Sequence, residues 1–186
     1  MGIQGTNNRP VAFRCLAITA ALAGAATSTA AQATNQPGTV NAVVVRPNTL
    51  VKTDDLDFGS LIGGTAGGTV TINPVTNART TTGGVTPAGS GAHRAAFQGT
   101  GGILFITVTG SNSVTLTRTG GGAAPMTATL TRAMTTSGGG ITLLGPSVTL
   151  LPSGVQTYYV GGTLTVPANQ PPGDYSGTFQ LTVNYL

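Results

Sequence analysis

Few side chains in this sequence are equipped for chemistry. Its acids are four aspartates with no glutamate, and His93 is the single histidine. Three of the aspartates fall in Thr53-Asp54-Asp55-Leu56-Asp57-Phe58-Gly59. Clustered carboxylates serve calcium binding, and paired ones serve glycoside hydrolysis. Beyond this cluster only Asp174 remains, too little for the six to eight oxygens that calcium takes. Asp55 and Asp57 alternate with Leu56 and Phe58, so the carboxylates read as the solvated side of an extended segment. His93 has no metal-ligating neighbour in sequence and reads as an exposed loop histidine. There is no Gly-x-Ser-x-Gly elbow, and no glycine cluster is followed by the Lys-Ser/Thr of a phosphate loop. With no tryptophan and Tyr158-Tyr159 as the only aromatic pair, sugar stacking is poorly provided for. The expectation is a non-enzymatic protein with no cofactor and no metal.

What must hold these residues is a set of strands. The most informative stretch is Gly173-Asp-Tyr-Ser-Gly-Thr-Phe-Gln-Leu-Thr-Val-Asn-Tyr-Leu186. Tyr175, Gly177, Phe179, Leu181, Val183 and Tyr185 fall on every second position, with polar residues in most of the gaps. This period of two predicts one long, central strand with an apolar face. Burying its large side chains would contribute about 1.5–3 kcal/mol each before entropy. Shorter alternating runs precede it: Val70 and Ile72, Leu104 with Ile106 and Val108, Val114 and Leu116, and Met126 with Ala128 and Leu130. Threonines occupy the opposite face of most of these runs, keeping strand propensity while staying polar. Further runs are Ile141–Leu144, Ser147–Leu151, Val155–Val160 and Gly162–Val166. Glycine pairs or triplets at 63–64, 67–68, 83–84, 101–102, 120–122, 138–140 and 161–162 are expected to break the chain between strands. Nothing carries helical periodicity. Many short strands with glycine-rich turns predict an all-β antiparallel sandwich or barrel.

Residues 1–33 have the form of a cleaved secretory signal peptide. Arg9 and Arg14 precede the apolar run Leu16–Ala26, which is too short to span a bilayer, and Ala31-Gln-Ala33 supplies a small-x-small cleavage site. Cys15, the only cysteine, lies in this leader, so the exported part has no disulfide despite entering an oxidising compartment. About 150 residues remain, one domain's worth. The formal charge of +4 suggests nucleic acid, but Arg46, Lys52, Arg79, Arg94, Arg118 and Arg132 are scattered without basic runs, so no nucleic-acid partner is expected. Only 6% of residues are charged, against about 25% in ordinary globular proteins. The surface must therefore be neutral, built of Thr, Ser, Asn and Gly.

Residues 34–48 stand apart. Gly38, Val40, Ala42 and Val44 share one face of a strand-forming run that breaks at Pro47-Asn48, ahead of a body starting at Thr49. Two readings stay open: a first strand of the same sheet, or an arm that pairs with another molecule. A secreted outer-membrane barrel fits less well. Its final strand should place its apolar face in register with the last residue, whereas here Asn184, Thr182 and Gln180 share the face of Leu186, and most runs are shorter than the nine to eleven residues of a spanning strand.

Two resemblances meet on these residues. Asp55-Leu-Asp-Phe-Gly59, Gly68-Thr-Val-Thr-Ile-Asn-Pro74, Ala95-Ala-Phe97, Val160-Gly-Gly-Thr-Leu-Thr-Val166 and the Gly173–Tyr185 pattern together resemble the bacterial domain-of-unknown-function family 4402. The C-terminal segment also resembles chaperone–usher pilus subunits, which have a penultimate aromatic (here Tyr185) and a glycine fourteenth from the end (here Gly173). That second resemblance implies an immunoglobulin-like sandwich lacking one strand, lent first by a periplasmic chaperone and then by the next subunit's arm. It makes Gly173, Tyr175, Phe179, Leu181, Val183 and Tyr185 the groove-edge and chaperone-contact strand. It makes Thr39–Val45, with Gly38, Val40, Ala42 and Val44 in phase, the donor arm. Many such subunits carry a disulfide near their first strands, which this chain cannot form. The expected fold is an immunoglobulin-like antiparallel β-sandwich, incomplete and completed by a donated strand. The expected role is that of a secreted, pilin-like surface subunit of a Gram-negative cell, with itself and a periplasmic chaperone and usher as partners. The alternative is a self-contained cell-surface or matrix sandwich with an adhesive or binding role.

Overall fold

The structure, a computed structural model, describes Thr39, Asn41, Ala42, Val44 and residues 49–100, 105–136, 138–150 and 154–186. The cleavage-site residues Ala31 and Ala33 and the arm residues Gly38 and Val40 lie outside the described residues. The body is all-β. Its strands are β1 (Thr49–Asp54), β2 (Ser60–Ile72), β3 (Arg79–Ala88), β4 (Ala95–Thr100), β5 (Ile106–Gly110), β6 (Ser113–Arg118), β7 (Met126–Thr135), β8 (Ile141–Leu144), β9 (Val148–Leu150), β10 (Val155–Val166), β11 (Tyr175–Ser176) and β12 (Leu181–Tyr185). Every pairing is antiparallel. No helix among the described residues is long and apolar enough to cross a membrane.

Two sheets form. In the nine-stranded one, β10 is the spine. One edge of β10 pairs first with β4 and then, from Gly162, with β2, while its other edge pairs with β7. β7 in turn carries β6 on its first half and β8 on its second. β1 adds to β4, β3 to β2, and β11 to β6. Among the described residues the second sheet has three strands, in the order β12-β5-β9. The result is the expected antiparallel sandwich, with a large curled sheet opened on one side and a small sheet covering part of it.

The period of two builds the core. Val70, Ile72, Leu164, Val160, Ile106 and Val108 are wholly buried, and Met126, Ala128, Leu130, Val114 and Phe97 join them in one cluster. Opposite positions stay polar. Two rows of hydroxyls cross the outer face, Thr80-Thr71-Thr163-Thr129-Ser113 and Thr82-Thr69-Thr165-Thr127-Thr115. Within them the Thr69–Thr82 and Thr71–Thr163 hydroxyls bond at 2.7 and 2.8 Å.

Several glycines do something other than the breaking their clustering predicts. The pairs at 63–64, 67–68, 83–84 and 161–162 lie inside β2, β3 and β10. At Gly161 and Gly162 backbones approach too closely for any side chain: a Cβ would run into the carbonyls of Ile72 and Thr129. β10 therefore passes unbroken between its neighbours, where sequence separates Val155–Val160 from Gly162–Val166. In β2 and β3 the glycines make a corner. Pairing runs Gly63↔Val85 and resumes at Gly68↔Gly83, so four residues of β2 oppose one of β3. Such a bulge bends a strand sharply, and it curls the outer half of this hairpin. Gly120–Gly122 and Gly139, with positive φ, do serve as turns. Gly101 and Gly102 lie outside the described residues.

Candidate strand-accepting edge

The C-terminal segment divides where its alternation predicts one unbroken strand. Tyr175 and Ser176 pair with Arg118 and Thr117 of β6, and Leu181–Tyr185 pair with Gly110–Ile106 of β5. Its partner is one continuous stretch of chain, but the register shifts by two residues between the halves, and 177–180 belong to neither strand. Gly177 is needed there because a Cβ would meet the Thr115 carbonyl. The predicted faces hold: Tyr175, Phe179, Leu181, Val183 and Tyr185 are half-buried against the core, and Phe179 meets Phe97 edge-on at 6.1 Å. The predicted central position does not. Among the described residues β12 is an outer strand, pairing only on its β5 side.

Hydrogen bonding fixes which backbone groups look outward. Ser111 N–H donates to Gln180 O at 2.9 Å, and Leu186 N–H donates to Phe105 O at 3.1 Å. In an antiparallel ladder residues alternate between facing the partner and facing away. Gln180, Thr182, Asn184 and Leu186 therefore face β5, while the N–H and C=O of Leu181 and Val183 point away from it.

Outer strands are normally shielded against further pairing. Here β1 carries Lys52 and Asp54, β3 carries Pro87 opposite the bulged β2, and β8 and β9 are three or four residues long and separated by Gly145-Pro146. β12, Leu-Thr-Val-Asn-Tyr, has no charge, no proline and no bulge.

Beside the first half of the same segment lies a cavity of about 810 Å³. Buried Phe58, Met126, Leu164 and Val166 line it together with half-buried Leu56, Leu61, Leu116 and Tyr175. Gly173 and the exposed Asp57 and Asp174 also line it. Its walls are braced by arginines. Arg79 donates to Gly89 O at 2.6 Å and to Phe58 O at 3.4 Å, and Arg118 donates to Pro172 O at 2.9 Å and to Gly121 O at 3.2 Å. Tyr175 Oη donates to Pro171 O at 2.7 Å.

Other sequence candidates are placed as follows. Asp55 and Asp57 are exposed while Phe58 is buried, as the alternation predicts. Asp57 Oδ1 accepts the Gly59 N–H at 2.7 Å, and Asp55 pairs with Lys52 at 2.6 Å, the one ion pair among the described residues. His93 is half-buried rather than exposed. Its backbone forms an isolated bridge with Asp57, two bonds of 2.9 Å, and its Nδ1 bonds to Gly91 O at 2.7 Å. Of the arm, Ala42 and Val44 are described and exposed, Val44 at 95%.

Sequence reasoning missed Arg132. It sits in the inward phase of β7, after Met126, Ala128 and Leu130, and is 4% exposed with no carboxylate partner. Its guanidinium donates to Ser111 O at 2.5 Å, Asn112 Oδ1 at 3.1 Å and Pro146 O at 3.3 Å, locking the β5–β6 corner to the β8–β9 turn. Desolvation there lowers its pKa. A cation on the apolar phase of an alternating run was the signal available in the sequence.

These features define an antiparallel β-sandwich left open beside its C-terminal strand. A family model described as a domain of unknown function (DUF4402) matches residues 49–185, and the chain belongs to that family. No curated protein matches it.

Proposed function

We propose that the protein is a secreted structural subunit that accepts a strand from another copy along β12, with Thr39–Val45 as the donated strand. The observation that carries this reading is the unshielded edge of β12, where Leu181 and Val183 turn their backbone donors and acceptors away from β5 and, among the described residues, meet no further strand. Strand addition uses such an edge directly: main-chain hydrogen bonds supply affinity and alternate side chains supply specificity. Val44 supports the donor assignment, since an apolar β-branched residue in a strand-forming run lies bare. Head-to-tail exchange of this kind is a heterologous contact and yields filaments. In this reading the leader ends at Ala33, export passes through the periplasm with a chaperone and usher covering the edge, and the assembled product lies at the cell surface. The role is structural, with no catalysis.

The test is protein lacking residues before Asn48, mixed with a synthetic Thr34–Val45 peptide. A ligand that binds only the folded state raises the unfolding midpoint with concentration. A rise that grows with peptide concentration and is lost with a scrambled peptide is the expected result. A stable domain indifferent to the peptide sinks the reading in favour of a self-contained adhesive or binding sandwich.

A further inference from the structure

Arg132 finds partners for its buried guanidinium, but two other polar groups of the interior do not. The inward phase of β10 that runs through Val160, Leu164 and Val166 begins with Gln156 and Tyr158, 6% and 2% exposed. Among the described residues Gln156 Oε1 is fully buried without a hydrogen-bond partner, and nothing bonds the Tyr158 hydroxyl. A buried polar group left unpaired bears the whole cost of its desolvation, and native interiors rarely tolerate one without a reason.

Both residues stand beside the opening of the sandwich. Followed through their pairings at this end, the strands run β1-β4-β10-β7, cross from β8 to β9 at Gly145-Pro146, and continue through β5 to β12. The two ends of that curl are β1 and β12. Gln156 pairs with Gly99 of β4, and Gly99 pairs in turn with Leu50 of β1. The Tyr158 ring occupies the space that Gly99 leaves, since a Cβ there would lie 2.9 Å from Tyr158 Cε2 and 3.7 Å from Leu50 Cδ1. The ring therefore leans across β4 toward β1, the side on which the curl is open. From the other side Phe179, just before β12, meets Phe97 of the same strand β4.

Resting on the strand-accepting reading above, we propose that Gln156 and Tyr158 form a polar subsite of this opening, filled by Asn41 of the donated strand. One side-chain amide carries both donors and an acceptor. It can donate to Gln156 Oε1 and accept from the Tyr158 hydroxyl, so a single residue satisfies both orphans. The subsite also chooses a face of the arm. Gly38, Val40, Ala42 and Val44 make a wholly apolar face, which would seal both orphans in unpaired. The opposite face, Thr39, Asn41, Val43 and Val45, brings the amide together with two valines. Asn41, Val43 and Val45 thus turn inward and Ala42 and Val44 outward, the reverse of the phase that apolar alternation alone suggests. Guests without an amide there are disfavoured, because desolvated polar groups left unpaired act against the wrong partner.

The experiment is sedimentation velocity on the purified protein with three sets of substitutions: Asn41→Leu, Gln156→Leu with Tyr158→Phe, and all three together. Asn41 is exposed, and neither Gln156 nor the Tyr158 hydroxyl has a bond to lose, so thermal unfolding should place each variant at or above wild type. Wild-type protein is expected to associate. Asn41→Leu associates roughly tenfold more weakly, because leucine pairs with neither orphan. The double interior variant is weakened as well, since it buries the Asn41 amide without a partner. All three substitutions in one chain restore association, because an apolar arm then meets an apolar subsite. As a check of the face, Ala42→Asp should keep association and Val43→Asp should abolish it. Association of Asn41→Leu equal to wild type, or a triple variant no stronger than Asn41→Leu, overturns the Asn41 assignment while leaving strand exchange standing. A wild-type protein that stays monomeric overturns both.

Discussion

Proline substitutions in β12 test the phase of its edge. Thr182 turns its backbone to β5, so Thr182→Pro removes an inner ladder bond and sets a proline ring against the Thr109 strand. Losing the bond costs about 0.5–1.5 kcal/mol, and displacing the neighbouring strand adds more, for a total of about 2–3 kcal/mol. Val183 is different. Its N–H points away from β5, so Val183→Pro breaks no ladder bond, and strand geometry already suits the φ that proline demands. Its cost is the part of the half-buried valine side chain that proline fails to replace, about 1 kcal/mol or less. For a domain of this size 1 kcal/mol corresponds to about 2–4 °C in midpoint. Thermal unfolding should therefore place Val183→Pro within a few degrees of wild type and Thr182→Pro lower by about 5–10 °C. Val183→Pro should nonetheless lose the midpoint rise produced by the Thr34–Val45 peptide, because an outward donor is gone and the ring obstructs the edge. Equal destabilisation by the two prolines would refute the assigned phase. A stable Val183→Pro protein that still responds to the peptide would refute β12 as the acceptor.

Three further outcomes follow from the interior. Arg132→Met strands two backbone carbonyls and the Asn112 amide oxygen at a buried corner, so chemical denaturation should show a loss of about 2–4 kcal/mol, and Arg132→Lys should recover little because an ammonium cannot span all three acceptors. Burial pushes the Tyr158 hydroxyl up to about 12 from its ordinary 10; the raised value means stability is intact below pH 10 and is lost as pH climbs toward 12, by about 2–3 kcal/mol, which tyrosinate absorbance followed alongside unfolding would check. Gly162→Ala should destabilise by about 2 kcal/mol or more, since its Cβ would strike the Thr129 carbonyl and one of two central strands must shift, whereas Gly138→Ala, with open space around it, should change the midpoint little.

The period of two made the faces legible. Val70 with Ile72, Met126 with Ala128 and Leu130, and Leu181 with Val183 all turn inward as their spacing predicts, because burial on one face specifies register strongly. What the sequence concealed were the points where backbone meets backbone. A glycine that supplies a turn and one that admits a neighbouring carbonyl are the same letter, so Gly161-Gly162 reads as a break although β10 runs straight through it. Strand position was hidden for a similar reason. An alternating run says which face is buried, not which edges are paired, and β12 alternates as a central strand would while pairing, among the described residues, on one side only. The cavity was illegible because its lining comes from six separate stretches of chain, and nothing in the sequence says that the Leu56–Phe58 and Gly173–Tyr175 parts, singled out for other reasons, meet there.

The distribution of charge bears on how this fold is fastened. With Cys15 its single cysteine and 6% of its residues charged, the chain can form no internal disulfide, and its described residues hold one ion pair, Lys52–Asp55. Its arginines take that place through main-chain carbonyls: Arg79 on Phe58 and Gly89, Arg94 on Pro74 and Val75, Arg118 on Pro172 and Gly121, Arg132 on Ser111 and Pro146. Bonds from guanidinium to carbonyl join a charge to a dipole, so salt screens them far less than it screens a pair of exposed ions. Folding stability should then stay nearly constant as salt rises, because these arginines fasten loops through carbonyls rather than through exposed partners of opposite charge, and chemical denaturation at several salt concentrations would check this.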